Sequence, residues 1–475
     1  MPDMNCRVKH VDLRDAFLRG ALGLIMLLPA TVWAGGHTVQ VPPPNGVDDT
    51  ANIQGALNAC ITHGPGCTVQ LAAGTYLTRQ VVVYNFQGTF KGAGIDSTTI
   101  EALPNLQVDM EPVGGVAESL CQPNTTTCRW PSVILFVNGN MHVSDLSILI
   151  SAPPGTATTT WLFAGSPFNG LYDALSFMGQ HVTAYVDRIH IEGLPDPTNS
   201  YGFNVVNALH FTGEFPRSLA PWDWYFLSGS LTVRNSSFSS ATVGISQDGF
   251  VKSSRITIGG SPSAGNHFEK GWAGLDMEAN ENSVVEISYN ESSGSIAAMW
   301  VVPWQPVFVP ASPSRYLIHD NGFTSTGQYA EGFYFLDDAA NPWIQAAAWN
   351  NTVELQDTLS EGIGVYNTKG TALWNNSVTG TDGFDAIGLW GSTFDAVANN
   401  NVSGFSIDST SGLAQIYLDP STTNDLVVCG ERSDTVLNQG TNNAIIGCQQ
   451  FTASAEEARA AGRSNLQRKK LPVRK

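Results

Sequence analysis

Three acidic residues of the chain have the types and spacing that acid–base chemistry requires. Asp276 and Glu278 stand two residues apart, and Asp248 occupies the position that matches Glu278 in an earlier copy of the same segment. Alternate residues of a strand point to one face, with Cα atoms about 6.6 Å apart. Carboxyl pairs about 5–9.5 Å apart can cleave a glycosidic bond, and such a cluster can also hold Ca²⁺. The three residues therefore predict a catalytic acid group, with a Ca²⁺ site or a solvated acidic surface as the alternatives.

Aromatic residues follow these acids along the chain. Flat rings offer large apolar surfaces on which the C–H groups of sugars can pack. The predicted substrate-binding residues are Trp300, Trp304, Tyr334, Tyr366 and Trp390. The alternative is that the rings fold back as local core. Three long interruptions of the regular pattern would flank the groove, at 151–179, 212–229 and 300–314.

An internal repeat must position these side chains. Asn350-Asn351-Thr352-Val353 recurs 25 residues later as Asn375-Asn376-Ser377-Val378. A second strand-like segment recurs out of phase, with copies that begin at Gly244, Gly274, Gly332, Gly362 and Ala386. A single coil of short strands cannot bury its apolar face, whereas stacked coils bury it continuously. The alternation places Ile245, Leu275, Phe333, Ile363 and Ile387 inside, and the acids and rings outside.

The repeated Asn-Asn pair has a physical role in such a stack. Asn tolerates the left-handed backbone of a tight bend, and Asn side chains at one bend can hydrogen-bond to those of the next coil. Before the repeats, Asp48-Asp49-Thr50 supplies a helix N-cap. One face of the predicted helix carries Ile53, Ala56, Leu57, Cys60 and Ile61, and it can cover the open first coil.

The stretch from Gly46-Val47-Asp48-Asp49-Thr50 through Gly92-Ala93-Gly94-Ile95-Asp96-Ser97-Thr98-Thr99-Ile100 resembles the pectin-lyase-like superfamily. The resemblance covers roughly Val41 to Gln450. It implies an all-β fold, a single-stranded right-handed parallel β-helix with an N-terminal capping helix. It implies no particular reaction, since this fold hosts lyases, hydrolases, epimerases and adhesins. The Gly-His-Gly and Arg-Ile-Lys motifs of polygalacturonases are absent from the sequence.

The domain organisation follows from composition. Residues 1–34 read as a signal peptide, because Arg14 and Arg19 precede an apolar run that is too short to span a membrane. Residues 35–66 form the predicted cap, 67–450 the β-helix, and 451–475 a basic tail that is helical or disordered. The predicted localisation is secreted, extracellular or periplasmic, without membrane association after cleavage of the signal peptide.

Cysteine usage agrees with export. After loss of Cys6 with the signal peptide, six cysteines remain in three local pairs, Cys60/Cys67, Cys121/Cys128 and Cys429/Cys448. An even count fits disulfides in an oxidising compartment. Without CxxC motifs or Cys/His clusters, a zinc site is not predicted.

Charge narrows the choice of partner. The formal net charge is −18, which disfavours nucleic acid and polyanionic glycans. The predicted partner is a polysaccharide or oligosaccharide, neutral or weakly charged, and Ca²⁺ is the one candidate cofactor. Single histidines, His210 among them, are interpreted as hydrogen-bonded structural residues.

Three functions fit these observations. The favoured hypothesis is a polysaccharide hydrolase that uses Asp248, Asp276 and Glu278. The second is a Ca²⁺-dependent polysaccharide lyase, in which the acids hold the metal and a basic residue, Lys252, Arg255 or Arg234, abstracts a proton. The third is a non-catalytic glycan-binding or surface scaffold protein.

Overall fold

The computed structural model describes residues 36–103, 132–151, 173–195, 203, 205–213, 227–247, 251–278, 281–295, 297–302, 312–326, 330–338, 341–356, 360–381, 385–405 and 414–451. Within these ranges the chain forms one helix, α1 (Thr50–His63), and 33 strands. The strands pair in parallel ladders, each with the strand one coil earlier and the strand one coil later. As far as β28 (Asn401–Ser403), the coils pass through three sheets in turn, and the last coils have strands in sheets 1 and 2 only.

Sheet 1 contains the second repeat segment identified in the sequence. Its separate strands are β8 (Asn207–Thr212), β11 (Val243–Gln247), β14 (Ala273–Met277), β17 (Ala297–Val301), β20 (Glu331–Leu336), β23 (Glu361–Tyr366), β26 (Asp385–Trp390), β29 (Ala414–Leu418), β31 (Thr435–Asn438) and β33 (Gln449–Phe451). The first coils enter this sheet through longer strands. These strands are β4 (Val81–Lys91), β6 (Ser132–Leu149) and β7 (Asp173–Glu192), which bend through two or three sheets.

Sheets 2 and 3 complete each coil. Sheet 2 adds β1 (Thr38–Gln40), β2 (Cys67–Gln70), β9 (Ser228–Arg234), β12 (Arg255–Gly259), β15 (Val284–Ser288), β18 (Ser314–His319), β21 (Ile344–Trp349), β24 (Ala372–Trp374), β27 (Ala396–Ala398), β30 (Leu426–Val428) and β32 (Ala444–Ile446). Sheet 3 adds β3 (Gly74–Thr78), β5 (Thr98–Ala102), β10 (Ser237–Ser239), β13 (His267–Glu269), β16 (Glu291–Ser295), β19 (Gly322–Ser325), β22 (Thr352–Leu355), β25 (Ser377–Thr379) and β28 (Asn401–Ser403). The fold class predicted from the repeat, a right-handed parallel β-helix with an N-terminal cap, is confirmed.

The core is a set of apolar columns that run along the helix axis. One column in sheet 1 joins the five predicted inward residues with three further ones, in the register Leu209, Ile245, Leu275, Met299, Phe333, Ile363, Ile387 and Ile416. Each is at most 2% exposed. Full burial of one such side chain contributes about 1.5–3 kcal/mol to folding. Repetition of the column in successive coils therefore stabilises the whole stack.

The two positions of the repeated Asn-Asn pair have different roles at the bend between sheets 2 and 3. The first, as at Asn350 and Asn375, adopts a left-handed backbone. The second donates its side-chain amide N–H to the side-chain carbonyl oxygen of the matching Asn one coil later, at 2.9–3.0 Å. This buried ladder contains Asn266, Asn290, Asn321, Asn351, Asn376 and Asn400. The predicted stacking of Asn side chains is confirmed.

Helix α1 covers the first coil as expected, with two corrections. Ile53, Ala56, Leu57 and Cys60 are buried, but Ile61 is 37% exposed and does not belong to the packed face. At the N-terminus, Asp48 accepts the Thr50 N–H at 3.0 Å. The N-cap residue, Asp49, makes no side-chain capping bond. Its carboxylate instead accepts the backbone N–H groups of Asn45 and Leu77, which lie outside the helix.

Two of the three predicted disulfides lie in described parts of the chain. Cys60 in α1 is bonded to Cys67 in β2, and Cys429 to Cys448 in the last coils. Cys121 and Cys128 lie outside the described residues, as do the signal peptide and the basic tail. Within the described ranges, no helix has the length and apolar character needed to cross a membrane.

Buried aspartates hold the bends that connect sheet 1 to sheet 2. Asp395 accepts the Thr371 N–H at 2.7 Å and the Thr368 hydroxyl. Asp337 accepts the N–H of Trp343 at 2.9 Å and that of Ile344, the first residue of β21, at 3.1 Å. Burial raises the pKa of Asp395 to about 7 and that of Asp337 to about 6. Both carboxyls therefore gain protons when the chain folds at mildly acidic pH.

The fold is expected to lose stability as pH rises from 5 to 8. The folded-state pKa of Asp395 lies above its unfolded value of about 3.9, so its contribution is fully present below that value and is lost as pH rises through about 7. The loss should be about 2–3 kcal/mol. Urea unfolding at both pH values measures it. In Asp395→Asn this difference should shrink; an equally large difference in that variant would contradict the assignment.

Candidate functional site

The outer face of sheet 1 carries the predicted acids and rings. Its outward side chains form three rows that run along the helix axis. The middle row joins, in register, Ser176, His210, Ser246, Asp276, Trp300, Tyr334, Gly364, Gly388 and Tyr417. We refer to this outer face of sheet 1 as the groove face.

Two of the three predicted catalytic acids, Asp276 and Glu278, lie in or directly after a strand of sheet 1. Asp276 lies in β14, between Ser246 one coil earlier and Trp300 one coil later, and is 3% exposed. Glu278 follows β14, and its N–H donates to the Gln247 carbonyl at 2.7 Å, which continues the ladder. Asp248 lies outside the described residues. The register makes Ser246, rather than Asp248, the direct neighbour of Asp276.

The predicted rings form a continuous row. Centroids of successive rings are 4.2–6.0 Å apart from Trp272 to Tyr417. We call this row the ring ladder; its members are Trp272, Trp300, Tyr334, Tyr366, Trp390 and Tyr417. The sequence analysis missed the two end members, and Trp304 lies outside the described residues. Tyr366 and Tyr417 are buried, and the other four rings are partly exposed.

Three carboxylates lie in the coils of the ring ladder, so acids occur among the rings as well as before them along the chain. Glu331 accepts the indole N–H of Trp300 at 3.1 Å. Glu361 accepts the indole N–H of Trp390 at 3.1 Å and the hydroxyl of Tyr366. Asp385 lies one coil further. Each acid directly precedes the Gly or Ala that begins its copy of the second repeat segment. The sequence pattern assigned no role to that position.

Two glycines make room for this arrangement. A Cβ on Gly364 would lie 2.7 Å from the Tyr366 ring and 3.1 Å from the Glu361 carboxyl carbon. A Cβ on Gly388 would lie 2.3 Å from a Glu361 carboxylate oxygen. The middle row therefore needs glycine in these coils so that Glu361 can reach across the strand to its two donors.

Burial and neighbouring charge separate the proton affinities of these groups. Burial, with the nearby Glu361 charge, raises the pKa of Asp385 well above its usual range. Burial, with the charges of Glu331 and Glu361, also raises the pKa of Tyr334. The raised pKa of Asp385, beside a Glu361 carboxyl that accepts two donors, resembles the unequal acid pairs that hydrolases use. These two residues form a second candidate acid pair.

A polar network continues the groove face toward the N-terminus. The Nδ1 of His210 lies 2.8 Å from Oδ2 of Asp173, and Asn207 donates to the other oxygen of this carboxylate at 2.9 Å. His210 is 4% exposed and Asp173 is fully buried. The hydrogen-bonded state expected of the scattered histidines holds for His210, but its partner is a carboxylate on the groove face.

The long interruptions of the repeat border sheet 1. The segment after Ser151 leads into the sheet 1 part of β7, which begins at Asp173, so the predicted loop 151–179 ends earlier than expected. The segments after β8 and after β17 leave sheet 1 for sheet 2. Their aromatic residues lie outside the described ranges. Sheet 1 is therefore the sheet beside which loops could wall a groove.

The structure does not group all the residues that the lyase hypothesis requires. Arg234 ends β9 and Arg255 begins β12, both in sheet 2. Lys252 lies in the segment that connects sheets 1 and 2, where its backbone forms an isolated parallel β-bridge with that of Glu281. Of the three candidate bases, Lys252 is the one next to the groove face. In the described part of the chain, no three His, Cys, Asp or Glu residues are grouped so that they could hold a metal ion.

Solved structures place this fold among known proteins, whereas no family model and no curated protein matches the chain. A tailspike protein mutant of E. coli bacteriophage HK620 is 13% identical with a TM-score of 0.53, over 84% of this chain and 68% of that one. A DFA-IIIase mutant from Arthrobacter chlorophenolicus is 13% identical with a TM-score of 0.51, over 89% and 100%. The Dettilon tailspike protein is 12% identical with a TM-score of 0.50, over 88% and 69%.

The molecule is therefore a parallel β-helix protein with the pectin-lyase-like fold. At these identities the likeness concerns the fold, and the groove face supports an argument about function from its own residues.

Proposed function

We propose that this chain is a secreted polysaccharide hydrolase that binds a neutral glycan along the groove face. The observation that carries the proposal is the ring ladder, whose six rings follow one another across successive coils. The four partly exposed rings, Trp272, Trp300, Tyr334 and Trp390, offer surfaces on which sugar rings can pack. The buried Tyr366 and Tyr417 pack against their neighbours in the row. The HK620 tailspike protein of the same fold was solved in complex with a pentasaccharide, which supports this class of ligand.

The charge of the groove face supports a neutral ligand. The described strands of sheet 1 contain Asp173, Asp276, Glu331, Glu361 and Asp385 and no Lys or Arg. A uronate chain would place its carboxylates against these acids without a compensating cation. Neutral hydroxyl groups can instead donate to the carboxylates.

The reaction assigned to the groove is hydrolysis of a glycosidic bond. Asp276, Glu278 and Asp248 remain the proposed reacting acids, and of these Asp276 pairs in register with Trp300 of the ring ladder. The rings then bind the sugars on one side of the bond that is cleaved. Packed acids in a shielded site favour one protonated and one ionised group, which acid–base catalysis requires.

Digestion of a glycan panel with the secreted form of the protein tests the proposal. Reducing ends are measured with and without EDTA, together with the ultraviolet absorbance of unsaturated products. We expect reducing ends from a neutral polysaccharide, no absorbance, and no effect of EDTA. Absorbance that EDTA abolishes would indicate a Ca²⁺-dependent lyase, and binding without any cleavage would indicate a scaffold protein.

Removal of a ring should weaken glycan binding. Trp300→Ala removes a partly exposed ring and the donor to Glu331, and we expect affinity to fall about 5–30-fold, as for loss of an aromatic contact of roughly 1–2 kcal/mol. Trp300→Phe keeps a ring and should lose less. Calorimetric titration with a product oligosaccharide measures both.

The matched control for Trp300→Ala is Trp374→Ala. Trp374 also belongs to an aromatic stack, 4.9 Å from Trp349, but lies in sheet 2. Its removal should leave glycan affinity unchanged. An equal loss of affinity in both variants would show that the effect is structural and would contradict the assignment of the groove face.

A further inference from the structure

The outer face of sheet 2 is apolar over its last five strands, β21, β24, β27, β30 and β32. Two outward positions of these strands form two rows that run along the helix axis. The row nearer sheet 3 joins, in register, Trp349, Trp374, Ala398, Val428 and Ile446. The row nearer sheet 1 joins Ala347, Ala372, Ala396, Leu426 and Ala444. We call these ten side chains the apolar face.

The fold itself does not require an apolar surface at these positions. In the two coils before β21, the same rows include Glu286 and His319. Within the described ranges six large apolar side chains are exposed, and three of them, Phe394, Leu426 and Ile446, belong to the apolar face or directly precede one of its strands. Contiguous apolar surface of this kind marks an interaction site.

Phe394 borders the apolar face in a backbone conformation that does not favour a bulky residue. Its φ is +59°, and its side chain is 61% exposed. The matching residues in neighbouring coils also have left-handed backbones, and they are Gly370, Asn424 and Asn442. Gly and Asn adopt this conformation readily, whereas a bulky residue rarely does. The ring is therefore unfavourable in the isolated chain, and contact with another surface would offset this.

Charge favours a second copy of this chain as the occupant of the apolar face. The formal net charge is −18, so most contacts between two copies bring like charges together. The ten positions of the apolar face hold no charged side chain. The bends on its two sides hold Thr393, Thr423 and Thr441, and Asn350, Asn375 and Asn399. Lys369 precedes Thr393 in the first of these ladders. An apolar centre with a polar border is typical of a protein interface.

The two rows differ in side-chain size in a way that fits two parallel copies. The row nearer sheet 3 contains the stacked indoles of Trp349 and Trp374, with ring centroids 4.9 Å apart. The other row holds alanine at four of its five positions. A two-fold axis parallel to the helix axis sets each row of one copy against the other row of its partner. Large side chains then pack against small ones in the same coil.

The size of the apolar face suits the centre of such an interface. Five strands about 4.8 Å apart span about 19 Å, and two outward positions about 6.6 Å apart give, with their side chains, a patch of roughly 300 Å². A stable dimer buries about 800 Å² per partner. The polar bends on both sides would supply the remaining area as the rim.

We infer that the apolar face binds the apolar face of a second copy, so that the protein is a two-fold dimer with parallel helix axes. The inference goes beyond the proposed function and is independent of it, because the groove face belongs to sheet 1. Sedimentation equilibrium of the full secreted chain over a range of protein concentrations tests it. We expect a species with twice the mass of one chain.

Two variants and a control test whether the dimer forms through this face. Ala396→Glu places a carboxylate on the central strand of the face and should weaken self-association at least about 100-fold. Phe394→Asn should weaken it about 10-fold or more, yet raise the thermal unfolding midpoint of the monomer, because Asn suits the left-handed backbone. Ser230→Glu adds the same charge to an outward position of β9 in sheet 2, beside Arg255 of the next coil, and should leave self-association unchanged.

Each outcome bears on the inference. A full chain that stays monomeric at the highest soluble concentration overturns it, whether the face is covered by residues 452–475 of the same chain or by a different molecule. Dimers of Ala396→Glu that are as stable as those of Ser230→Glu also overturn it, because they form through another surface. If Ala396→Glu fails to fold, Phe394→Asn decides: unchanged self-association of this folded variant contradicts the inference.

Discussion

Replacement of Asp276 by Asn is expected to reduce glycan cleavage at least about 100-fold, the range for loss of a general acid, while glycan affinity stays within about twofold. Asn has the same shape but cannot supply the proton to the leaving oxygen. Asp276 is 3% exposed and lies in register between Ser246 and Trp300, so an isosteric change should preserve the strand. Single-turnover cleavage and titration with a product oligosaccharide measure the two quantities.

Variants of the second acid pair make this experiment selective. Glu361→Gln and Asp385→Asn alter carboxyls in the coils of the ring ladder, and Glu354→Gln alters an exposed acid of sheet 3 as a control. Loss of cleavage in Asp276→Asn alone would support the proposed centre. If cleavage survives in Asp276→Asn and disappears in Asp385→Asn, the reacting acids lie within the ring ladder and our assignment is wrong.

Among the substitutions that we expect to alter stability, Asn351→Ala should cause the largest fall in the free energy of unfolding. Asn351 accepts the backbone and side-chain N–H groups of Asn321, and its amide donates to Asn376 and to the Ile318 carbonyl, all at 2.9–3.1 Å. Truncation leaves several buried polar groups without these bonds, each worth about 1–3 kcal/mol. We expect the free energy of unfolding to fall by about 3–5 kcal/mol, seen as a lower urea midpoint.

The neighbouring asparagine provides the control. Asn350 has a left-handed backbone, and its amide makes one surface bond of 3.3 Å to Asp320. Asn350→Gly keeps the bend accessible and should cost less than about 1 kcal/mol. Equal losses in Asn350→Gly and Asn351→Ala would contradict the distinct roles of the two asparagines.

The fold could be predicted because its determinants repeat. The Asn-Asn pair appears in successive coils, so a pattern invisible in one coil became clear at Asn350 and Asn375. The alternation that placed Ile363 inside also placed Gly364 and Tyr366 outside, and the register agrees. Short-range pairing of Cys60 with Cys67 followed from proximity alone.

The candidate site could be predicted only in part. Tyr334 was found because it lies in the outward row two residues after a repeated glycine, Gly332, and Trp300 because it opens the predicted interruption 300–314. Glu361 was missed because its role depends on a reach across Gly364 and Gly388 to donors on two coils. Asp173 and His210 are 37 residues apart in the chain, and no local pattern connects them. Contacts between coils that break the repeat need the three-dimensional register.

The positions of the two described disulfides have a consequence for how the molecule comes apart. In a one-dimensional array, an end coil has a neighbour on one side only, so fraying starts at the ends. Cys60–Cys67 fastens the helix to the first coils, and Cys429–Cys448 joins the last ones. Reduction of both disulfides should therefore speed hydrogen exchange in the first and last coils and leave the central coils protected from exchange.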